Sequence, residues 1–545
     1  MPGPLNVDPG LPVPDPTIPF WQIPSHPLAN VSSGKLPSST DVVIIGSGMT
    51  GCSVAKGLLE GEPNIRVTVL EARGLASGAT SRNGGHIVSP SVGDFVELVE
   101  CFGVPAAVEI AEFTLRNIEK TFEAVAEFPN STLAKDSKIR RTTKILAYTD
   151  QASFDNAQHS LQVWNEHMPA GRRDLFKLIG PEEAKAKYGL QNVAGAGVGP
   201  GAAVWPYRLW CGLWSLISEK YQDRLSIETF TPALGVSEAE GMTSQYVVKT
   251  SRGNITASHV VYCTNGFTSH LLPTLRGKLF PFRGTMSAQD LGPQHPNHGA
   301  DRSWSLMSTP RVDSKSGVRS ASLYYLTQDP DTRYMMLGGE SEKPEVIVSS
   351  DDSTMNSLSA EEIVKVLPRH FETSAVPQVK SLWSGIMGFS RDGVPIIGRL
   401  PESVTKRSGR GEWIAAGFNG YGTGYCLSCG LAIADMMLGK DVSSWVPSAL
   451  LVTEERLQGS LSSSGFWDTL VGPGAPDDAR NSNLRFHQGE PPAIAPESTV
   501  GASRTNMTYL PTPSRPSLYH RSIGTQDKPE QSTQPPCYAA QAEFG

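Results

Sequence analysis

The amino-acid sequence predicts an α/β fold in which a Rossmann-like dinucleotide-binding domain is joined to an α+β domain built on a mostly antiparallel β-sheet. The first observation is an apolar strand that runs into the pattern Gly46-x-Gly48-x-x-Gly51 and then into a helix. The second is a further apolar run that ends at the acidic residue Glu71. The third is the stretch 225–379, in which short β-type segments alternate with turn residues. Together these features are typical of a nucleotide-binding unit joined to a separate sheet.

The glycine pattern and Glu71 form a complete dinucleotide fingerprint. Glycines at these positions permit a tight turn, let a pyrophosphate approach the backbone and allow the helix to pack on the sheet. The start of that helix offers N–H groups to the phosphates. A carboxylate at Glu71 accepts hydrogen bonds from a ribose and repels a 2′-phosphate, which favours FAD or NAD over NADP. The contacts predicted in this unit are Gly46, Gly48, Met49, Thr50, Gly51, Glu71, Ala72 and Arg73.

The composition is that of an ordinary globular protein and argues against several classes of partner. The net charge is −7 and the pI is about 5.9, so neither nucleic acid nor an anionic membrane surface is an expected partner. No apolar run reaches the length of a membrane span, and the N-terminus lacks a secretory signal, which predicts a cytoplasmic protein. Seven scattered cysteines indicate reduced thiols. The lone Cys426-x-x-Cys429 is interpreted as two core thiols, and no metal site is predicted.

The two ends of the chain differ in composition from its middle. Residues 1–39 are rich in proline, which predicts an arm laid over the folded body near Phe20 and Trp21. Residues 450–545 carry many Pro, Ser, Gln and Asn residues and are predicted to be a disordered tail. Its YLPTPSRPS segment is a candidate for tail-mediated protein contacts, although a solvated linker is the simpler interpretation. A chain of about residues 36–450 is therefore expected to be sufficient for folding.

The body between these ends begins with helices and continues with strands. Apolar residues recur at helical spacing over residues 94–128, which predicts two amphipathic helices. A strand at 145–150 leads into another helix, and Pro181 and Pro206 mark the starts of two more. From Leu225 the pattern changes to strands, with Arg252-Gly253-Asn254 as a hairpin turn.

The stretch from Leu279 to about Val379 is predicted to be mostly β-sheet. Its run SLYYLTQDPDTRYMMLGGE contains two strands around a turn, and Arg283, Tyr324 and Tyr325 lie on strands. Neighbouring residues of a strand point to opposite faces, so only one of the two tyrosines can face a substrate. We take Tyr324 as that residue, and Tyr325 is then structural.

Three further stretches resemble a known family. The loop GLASGATSRNGGHI at 74–87 follows the fingerprint, WSGIMGFSRDGVPIIGRLPE occupies 383–402, and WIAAGFNGYGTGYCLSCGLAIADMMLGK starts at Trp413. In this order the motifs resemble the D-amino acid oxidase/DadA superfamily of FAD-dependent amine oxidoreductases. Within it the chain is most similar to the branch of gamma-glutamylputrescine oxidase and related fungal enzymes.

The resemblance implies a division into domains and a set of FAD contacts. The FAD-binding domain would comprise residues 40–93, 190–275 and 380–449, and the substrate or cap domain residues 94–189 and 276–379. A glycine loop before the final helix would set a helix N-terminus against the flavin, where a positive dipole end stabilises the reduced, anionic ring. The further FAD contacts are Thr80, Ser81, Arg82, Asn83, Gly84, Gly85, Gly417, Phe418, Asn419, Gly420, Tyr421, Gly422 and Thr423.

Departures from the family pattern are informative about the cofactor. Members with a cysteinyl flavin carry cysteine where this chain has residues 385–388, and members with a histidyl flavin carry histidine where it has Ser81-Arg82. Neither attachment residue is present, so FAD is predicted to bind without a covalent link. The nearby His86 is a candidate catalytic residue of the cavity wall, together with Arg283 and Tyr324.

The implied reaction is oxidation of the C–N bond of an amine or amino acid by hydride transfer to FAD, with oxygen as the expected reoxidant. Sarcosine oxidase-like members place a lysine after the last glycine loop to hold a substrate carboxylate, and no cation stands there in this chain. Arg82, Arg283 and Arg391 remain as candidate anchors, and without an anchor an N-substituted or acylated polyamine is the preferred substrate. A flavin hydroxylase that uses NAD(P)H and a non-enzymatic flavoprotein-like scaffold are the alternatives.

Overall fold

The structure is a computed structural model and describes residues 5–89, 92–373 and 376–458. In this part of the chain there are seventeen strands: β1 (Ser39–Ile45), β2 (Val67–Leu70), β3 (His86–Ile87), β4 (Arg140–Tyr148), β5 (Lys177–Ile179), β6 (Gly195–Ala203), β7 (Leu225–Glu228), β8 (Ala233–Ala239), β9 (Met242–Thr250), β10 (Gly253–Tyr262), β11 (Leu279–Asp290), β12 (Arg302–Met307), β13 (Leu323–Gln328), β14 (Met335–Gly339), β15 (Gln378–Ser390), β16 (Ile396–Arg399) and β17 (Glu412–Ala416).

The same residues form α-helices of very different lengths. In chain order they are α1 (Met49–Gly61), α2 (Phe95–Ala126), α3 (Leu133–Ser137), α4 (Gln151–His167), α5 (Ala170–Arg173), α6 (Pro181–Tyr188), α7 (Pro206–Lys220), α8 (Thr268–Leu271), α9 (Pro344–Ile347), α10 (Ser357–His370), α11 (Glu402–Thr405), α12 (Gly422–Met437) and α13 (Glu454–Gln458). None of the described helices is both long and apolar enough to cross a membrane.

The first sheet is mixed and mainly parallel. Its strands follow the order β16-β17-β10-β1-β2-β7, and β8 and β9 extend it as an antiparallel hairpin next to β10. Strand β1 pairs in parallel with both β2 and β10, and its residues Val42 to Ile45 are buried. A strand with apolar side chains on both faces has to be covered on both sides, which explains its continuous apolar sequence. Helices α1 and α12 pack together against one face.

The second sheet is mostly antiparallel and follows the order β15-β11-β14-β13-β12-β4-β6-β3, with β5 next to β6. Only the pair β4 and β12 is parallel. Helix α10 packs on one face of this sheet through Ile363, Val366 and Leu367. The opposite face turns towards the first sheet. These two sheets confirm the predicted fold class.

The boundary between the two sheets differs from the boundary in the predicted domains. Strands β3, β6 and β15 belong to the second sheet, although most of their residues were predicted in the nucleotide-binding part. The reason is long-range pairing: β6 pairs with β4 and β3, and β15 pairs with β11 along its length. Residues 94–128 form two helical segments, as the pattern predicted, because a kink at Gly103 and Pro105 divides α2.

The N-terminal arm is part of the folded body from residue 5 onwards. Trp21 is 2% exposed, and its Nε1 donates a hydrogen bond to the carbonyl of Asn83 at 2.6 Å. Further along the arm, Ser33 binds the buried carboxylate of Glu228 through both its N–H and its hydroxyl. A chain starting near residue 36 would lack these contacts, and whether it is sufficient stays a prediction.

The folded body also extends beyond the predicted boundary at residue 449. Leu450 and Leu457 are buried, and Leu451 forms a bridge with Ile397 at the edge of the first sheet. Arg456 pairs with Asp392, with Nε and Oδ2 2.5 Å apart. The remainder of the predicted tail, including its proline-rich segment, lies outside the described residues.

Candidate active site

A cavity of about 510 Å³ is lined by residues of both sheets and of the N-terminal arm. One part of its wall consists of the fingerprint, the loop that follows Glu71 and the glycine loop before α12. Another part consists of the inner face of the second sheet. The predicted cofactor residues in the lining are Gly46, Gly48, Met49, Thr50, Glu71, Ala72, Arg73, Thr80, Arg82, Asn83, Gly84, Phe418, Asn419, Gly420, Tyr421, Gly422 and Thr423.

The four other predicted cofactor residues shape the wall from behind it. They are Gly51, Ser81, Gly85 and Gly417, none of which lies in the lining. A Cβ at Gly51 would lie 2.0 Å from the carbonyl oxygen of Gly46, so only glycine lets α1 approach the end of β1 this closely. Gly46 itself has a φ of +107°, a backbone conformation that favours glycine. The tight turn and the close helix contact predicted from the motif are both present.

Glu71 is fixed beside this turn by three protein hydrogen bonds. Its Oε2 accepts from the N–H and the hydroxyl of Ser47 at 3.0 and 2.7 Å, and its Oε1 accepts from the N–H of Arg73 at 2.9 Å. A carboxylate has about four acceptor sites, so Glu71 can still accept a bond from a ribose hydroxyl in the cavity. The geometry of this donor and acceptor set fits the ribose and pyrophosphate of a dinucleotide.

The glycine loop is held rigidly before α12. The amide of Asn419 donates to the carbonyl of Gly417 at 2.6 Å and to Ser390 Oγ at 3.0 Å, and its Oδ1 accepts from the Ser390 N–H at 2.9 Å. Asn117 of α2 donates to the carbonyl of Thr423 at 2.9 Å. The N-terminus of α12, at Gly422, therefore faces the cavity in a fixed position, and its dipole favours negative charge there.

The inner face of the second sheet supplies one side chain from each of several strands. Leu146, Ser305 and Tyr325 are register partners across β4, β12 and β13, and Met286 of β11 follows in the same row through Gly338. The side chains of Leu146, Met286, Ser305 and Tyr325 all line the cavity, and Gly338 between them has none. This row is where a substrate would meet a flavin that is held by the first sheet.

Tyr325, and not Tyr324, occupies the cavity. A Cβ at Gly84 would lie 2.6 Å from the ring of Tyr325, and one at Gly338 would lie 2.3 Å from it, so these glycines make room for that ring. Tyr324 is on the opposite face, where its hydroxyl lies 3.3 Å from Ser341 Oγ. As predicted, only one of the two tyrosines faces inward. The prediction that this residue is Tyr324 is wrong, because the sequence does not show the register in which β13 pairs with its neighbours.

The predicted arginines are not placed as expected. Arg283 lies on the outer face of β11, where its Nη1 donates to the carbonyl of Asp351 at 3.3 Å, and Arg391 is exposed in a turn outside the lining. Arg82 lines the cavity, yet its guanidinium donates to Ser384 O and Ser77 O at 2.7 and 2.9 Å. Arg319, which was not predicted, lines the cavity from the connection between β12 and β13, where its Nη2 donates to Ser322 Oγ at 3.2 Å. Burial lowers its pKa to about 10.

His86 lines the cavity as predicted and is uncharged there. Its Nε2 lies 2.7 Å from the carbonyl oxygen of Leu326, which assigns the proton to Nε2 and leaves Nδ1 as an acceptor. Burial, together with the charge of Lys144, lowers the pKa of His86 to about 3. A histidine in this state can accept a hydrogen bond but cannot serve as a cationic anchor at neutral pH.

The cavity wall contains three titratable side chains that were not predicted from the sequence, Lys144, Asp94 and Glu97. Burial lowers the pKa of Lys144 to about 8, whereas nearby Asp94 opposes that shift. Burial raises the pKa of Asp94 to about 6 and that of Glu97 to about 7, the latter with help from Asp94 and Glu100. These side chains come from β4 and from the start of α2, which the sequence pattern indicated only as scaffold. The sequence feature that could have indicated them is that each of these charged residues stands next to apolar residues.

The sequence also did not indicate that the N-terminal arm forms part of the cavity wall. Gly10, Leu11 and Pro12 line the cavity, and Asp8 holds this stretch in place by pairing with His270 and Arg276. A proline-rich composition predicts little regular structure, which is correct for these residues. It does not indicate whether such a segment is packed against a site.

Comparisons with known proteins agree with this geometry. The family model described as "DAO: FAD dependent oxidoreductase" matches residues 41–436. FAD-dependent oxidoreductase domain-containing protein 1 of Mus musculus is 24% identical over 74% of this chain and 82% of its own length. The probable oxidoreductase OrdL of Rhizobium meliloti is 22% identical over 77% of this chain and 87% of its own. Glycine oxidase from Geobacillus kaustophilus superposes with a TM-score of 0.57 at 18% identity, over 76% of this chain and 99% of that one.

Proposed function

The chain belongs to the DAO family of FAD-dependent oxidoreductases, and from this premise we propose that it oxidises the C–N bond of an amine that also carries a carboxylate. The observation that carries the proposal is the position of Arg319 in the wall of the cavity, on the side of the second sheet. A guanidinium binds a carboxylate through two parallel hydrogen bonds, which also fixes its orientation. The glycine oxidase that shares the fold acts, by its name, on an amino acid.

The residues of the first sheet are suited to hold the cofactor. Glu71 would accept from a ribose, the start of α1 would face the pyrophosphate, and the start of α12 would face the flavin ring. When bound, FAD supplies the acceptor for a hydride from the carbon beside the amine nitrogen. We expect no covalent link, so acid precipitation should release all yellow colour into the supernatant. Colour kept in the pellet would point to attachment, with His86 as the first residue to inspect.

We assign orientation of the substrate to residues on the side of the second sheet and acceptance of its proton to carboxylates at the start of α2. Arg319 holds the carboxylate, and the hydroxyl of Tyr325 is a donor or acceptor inside the cavity. The amine nitrogen has to lose its proton before a hydride can leave the adjacent carbon. Asp94 and Glu97, whose pKa values burial raises to about 6 and about 7, line the same cavity and can accept that proton near neutral pH. Lys144, whose pKa burial lowers to about 8, is still mostly protonated at that pH.

The presence of Arg319 changes the expected choice of substrate. A polyamine without a carboxylate is favoured only if the pocket lacks an anchor, and Arg319 provides one. The resemblance to gamma-glutamylputrescine oxidase is compatible with this view, because a glutamyl group brings a carboxylate to an amine. We therefore expect amino acids or carboxylate-bearing acylated amines to be oxidised in preference to simple diamines.

Anaerobic mixing with candidate substrates tests the proposal. Loss of flavin absorbance should be rapid with glycine, sarcosine, proline or gamma-glutamylputrescine and slow with putrescine. Arg319→Met should raise KM for the carboxylate-bearing substrate by about 10- to 100-fold, because a charge-assisted pair contributes about 1.5–3 kcal/mol. Arg283→Met is the matched control, since this buried arginine lies on the outer face of the sheet, and its KM should change less than about threefold.

Three results would contradict the proposal. Rapid reduction by putrescine with no effect of Arg319→Met would show that a carboxylate is not recognised. Reduction by NADPH and not by any amine would support a hydroxylase. A purified protein without flavin would favour a non-enzymatic scaffold.

A further inference from the structure

We propose that Asp352 is a positioning residue for the cofactor. It holds the loop 73–84, which forms part of the cavity wall, against the second sheet and the N-terminal arm. Asp352 does not line the cavity and carries no catalytic assignment. The inference rests on the proposed FAD site and is independent of the substrate. Its geometry joins three parts of the chain that are far apart in sequence.

The carboxylate of Asp352 connects the two ends of the loop. Its side chain is 0% exposed, and its Oδ1 and Oδ2 lie 2.9 and 3.1 Å from Nη1 of Arg73. Nε of Arg82 lies 3.5 Å from Oδ2. Arg73 directly follows the ribose-binding segment and Arg82 is in the turn that reaches the flavin side, so one carboxylate fixes both.

The backbone of the same residue ties this loop to the arm and to the second sheet. The carbonyl of Asp352 accepts from the N–H of Thr17 at 2.8 Å and from its hydroxyl at 3.0 Å. The Thr17 oxygen in turn accepts from Nη1 of Arg82 at 3.2 Å and from the N–H of Ser384 on β15 at 3.0 Å. Thr17, Arg82 and Ser384 therefore meet at Asp352, and displacement of one contact loosens the others.

Charge explains why this clamp depends on Asp352. Arg73 and Arg82 are 6% and 3% exposed, so two guanidinium groups share one carboxylate in a buried environment. Without that carboxylate the two like charges would repel each other with little solvent to screen them. The loop that lines the cavity from Gly78 to Gly84 would then move, and a dinucleotide would lose part of its preformed site.

The test compares Asp352→Asn with Glu412→Gln. Glu412 is also 0% exposed and arginine-paired, with Arg407 Nη2 2.6 Å from its Oε2, but it does not line the cavity. We measure the FAD dissociation constant by flavin fluorescence and the melting temperature of each apoprotein. Both variants should melt earlier, and Asp352→Asn should in addition weaken FAD binding by about 100-fold, the size expected for breaking a buried pair. Glu412→Gln should change the dissociation constant by less than about threefold.

Equal effects of the two variants on FAD binding would overturn the proposal, since Asp352 would then serve stability alone. If Asp352→Asn does not fold, Thr17→Val decides: loss of its hydroxyl should weaken FAD binding about fivefold at little cost in apoprotein melting temperature. An unchanged dissociation constant in Thr17→Val would then overturn the proposal. Because both readouts are independent of amines, failure of the proposed substrate class leaves this test intact.

Discussion

The two ends of the cavity, the proposed cofactor end at the first sheet and the proposed substrate end at the second sheet, are built in different ways. At the cofactor end, the wall comes from short continuous segments, such as residues 46–50 and 418–423, whose backbone faces the ligand. At the substrate end, each strand contributes single side chains, such as Ser305 from β12 and Tyr325 from β13. A change at the first end disturbs a whole turn, whereas a change at the second replaces one contact. Substrate preference can therefore change while the hold on the cofactor is kept.

The largest effect is expected at the cofactor end. Gly51→Ala places a Cβ 2.0 Å from the carbonyl oxygen of Gly46 and forces α1 away from β1. We expect FAD affinity to fall by about 100-fold or more, since such overpacking costs about 1–3 kcal/mol and also displaces the phosphate turn. Gly235→Ala is the control because a Cβ there meets no atom within 4 Å. Equilibrium dialysis with FAD measures both, and retention of full affinity in Gly51→Ala would remove the distinction between the two ends.

A second prediction asks whether the N-terminal arm is packed against the wall of the cofactor end. Trp21 is 2% exposed and bonds to Asn83 O, whereas Ile18 of the same arm is 69% exposed. Trp21→Ala should lower the free energy of unfolding by about 3 kcal/mol, as for other buried tryptophans. Ile18→Ala should change it by less than about 0.5 kcal/mol. Urea denaturation provides the comparison, and equal values would mean that the arm is not packed as described.

At the substrate end, the two tyrosines of β13 give a matched pair. Tyr325→Phe removes a hydroxyl inside the cavity and should lower kcat/KM about tenfold, the value of one hydrogen bond to a charged or reacting group. Tyr324→Phe removes a hydroxyl on the outer face, beside Ser341, and should change kcat/KM less than about twofold. Steady-state kinetics with the best amine substrate would show the difference. The reverse order would place Tyr324 in the site after all.

The smallest effect concerns His86, at the border between the two ends. Its pKa of about 3 in the folded protein lies below that of an unfolded histidine. As pH falls below about 6.5, the unfolded chain takes up a proton that the folded chain refuses, so stability decreases. Between pH 7.5 and 5.5 the wild-type protein should lose about 1 kcal/mol more than His86→Gln, whose amide does not titrate. Denaturation curves at both pH values measure this, and identical losses would mean that His86 is not buried neutral.

The residues of the cofactor end could be predicted from the sequence because a short continuous motif specifies their arrangement. The spacing from Gly46 to Gly51, and the acid at Glu71, specify a turn and a hydrogen-bonding partner without reference to distant residues. The residues of the substrate end could not be predicted in this way, since whether Tyr325 or Tyr324 faces inward depends on how β13 pairs with β12 and β14. Alternation limited the choice to one of two residues and left the face undetermined.

Arg319 shows the same limit. It lies outside every motif that the chain shares with the family, in the connection between β12 and β13, where isolated bridges to Val312 and Glu342 place it at the cavity. Arg283, by contrast, was a predicted anchor and yet points outward, because its neighbours Phe282 and Gly284 take the inner face of β11. The sequence position of an arginine is therefore a weak guide to whether its side chain reaches a ligand.

The position of Thr17 has a consequence for how the molecule is made. Its partner Asp352 follows 335 residues later in the chain, and Ser384 follows 367 residues later. During synthesis Thr17 leaves the ribosome long before either partner exists, so its contacts can form only after most of the chain has been made. We therefore expect the attachment of Thr17 to Asp352 and Ser384 to be a late event in biogenesis, later than the contact of Trp21 with Asn83 in the same arm.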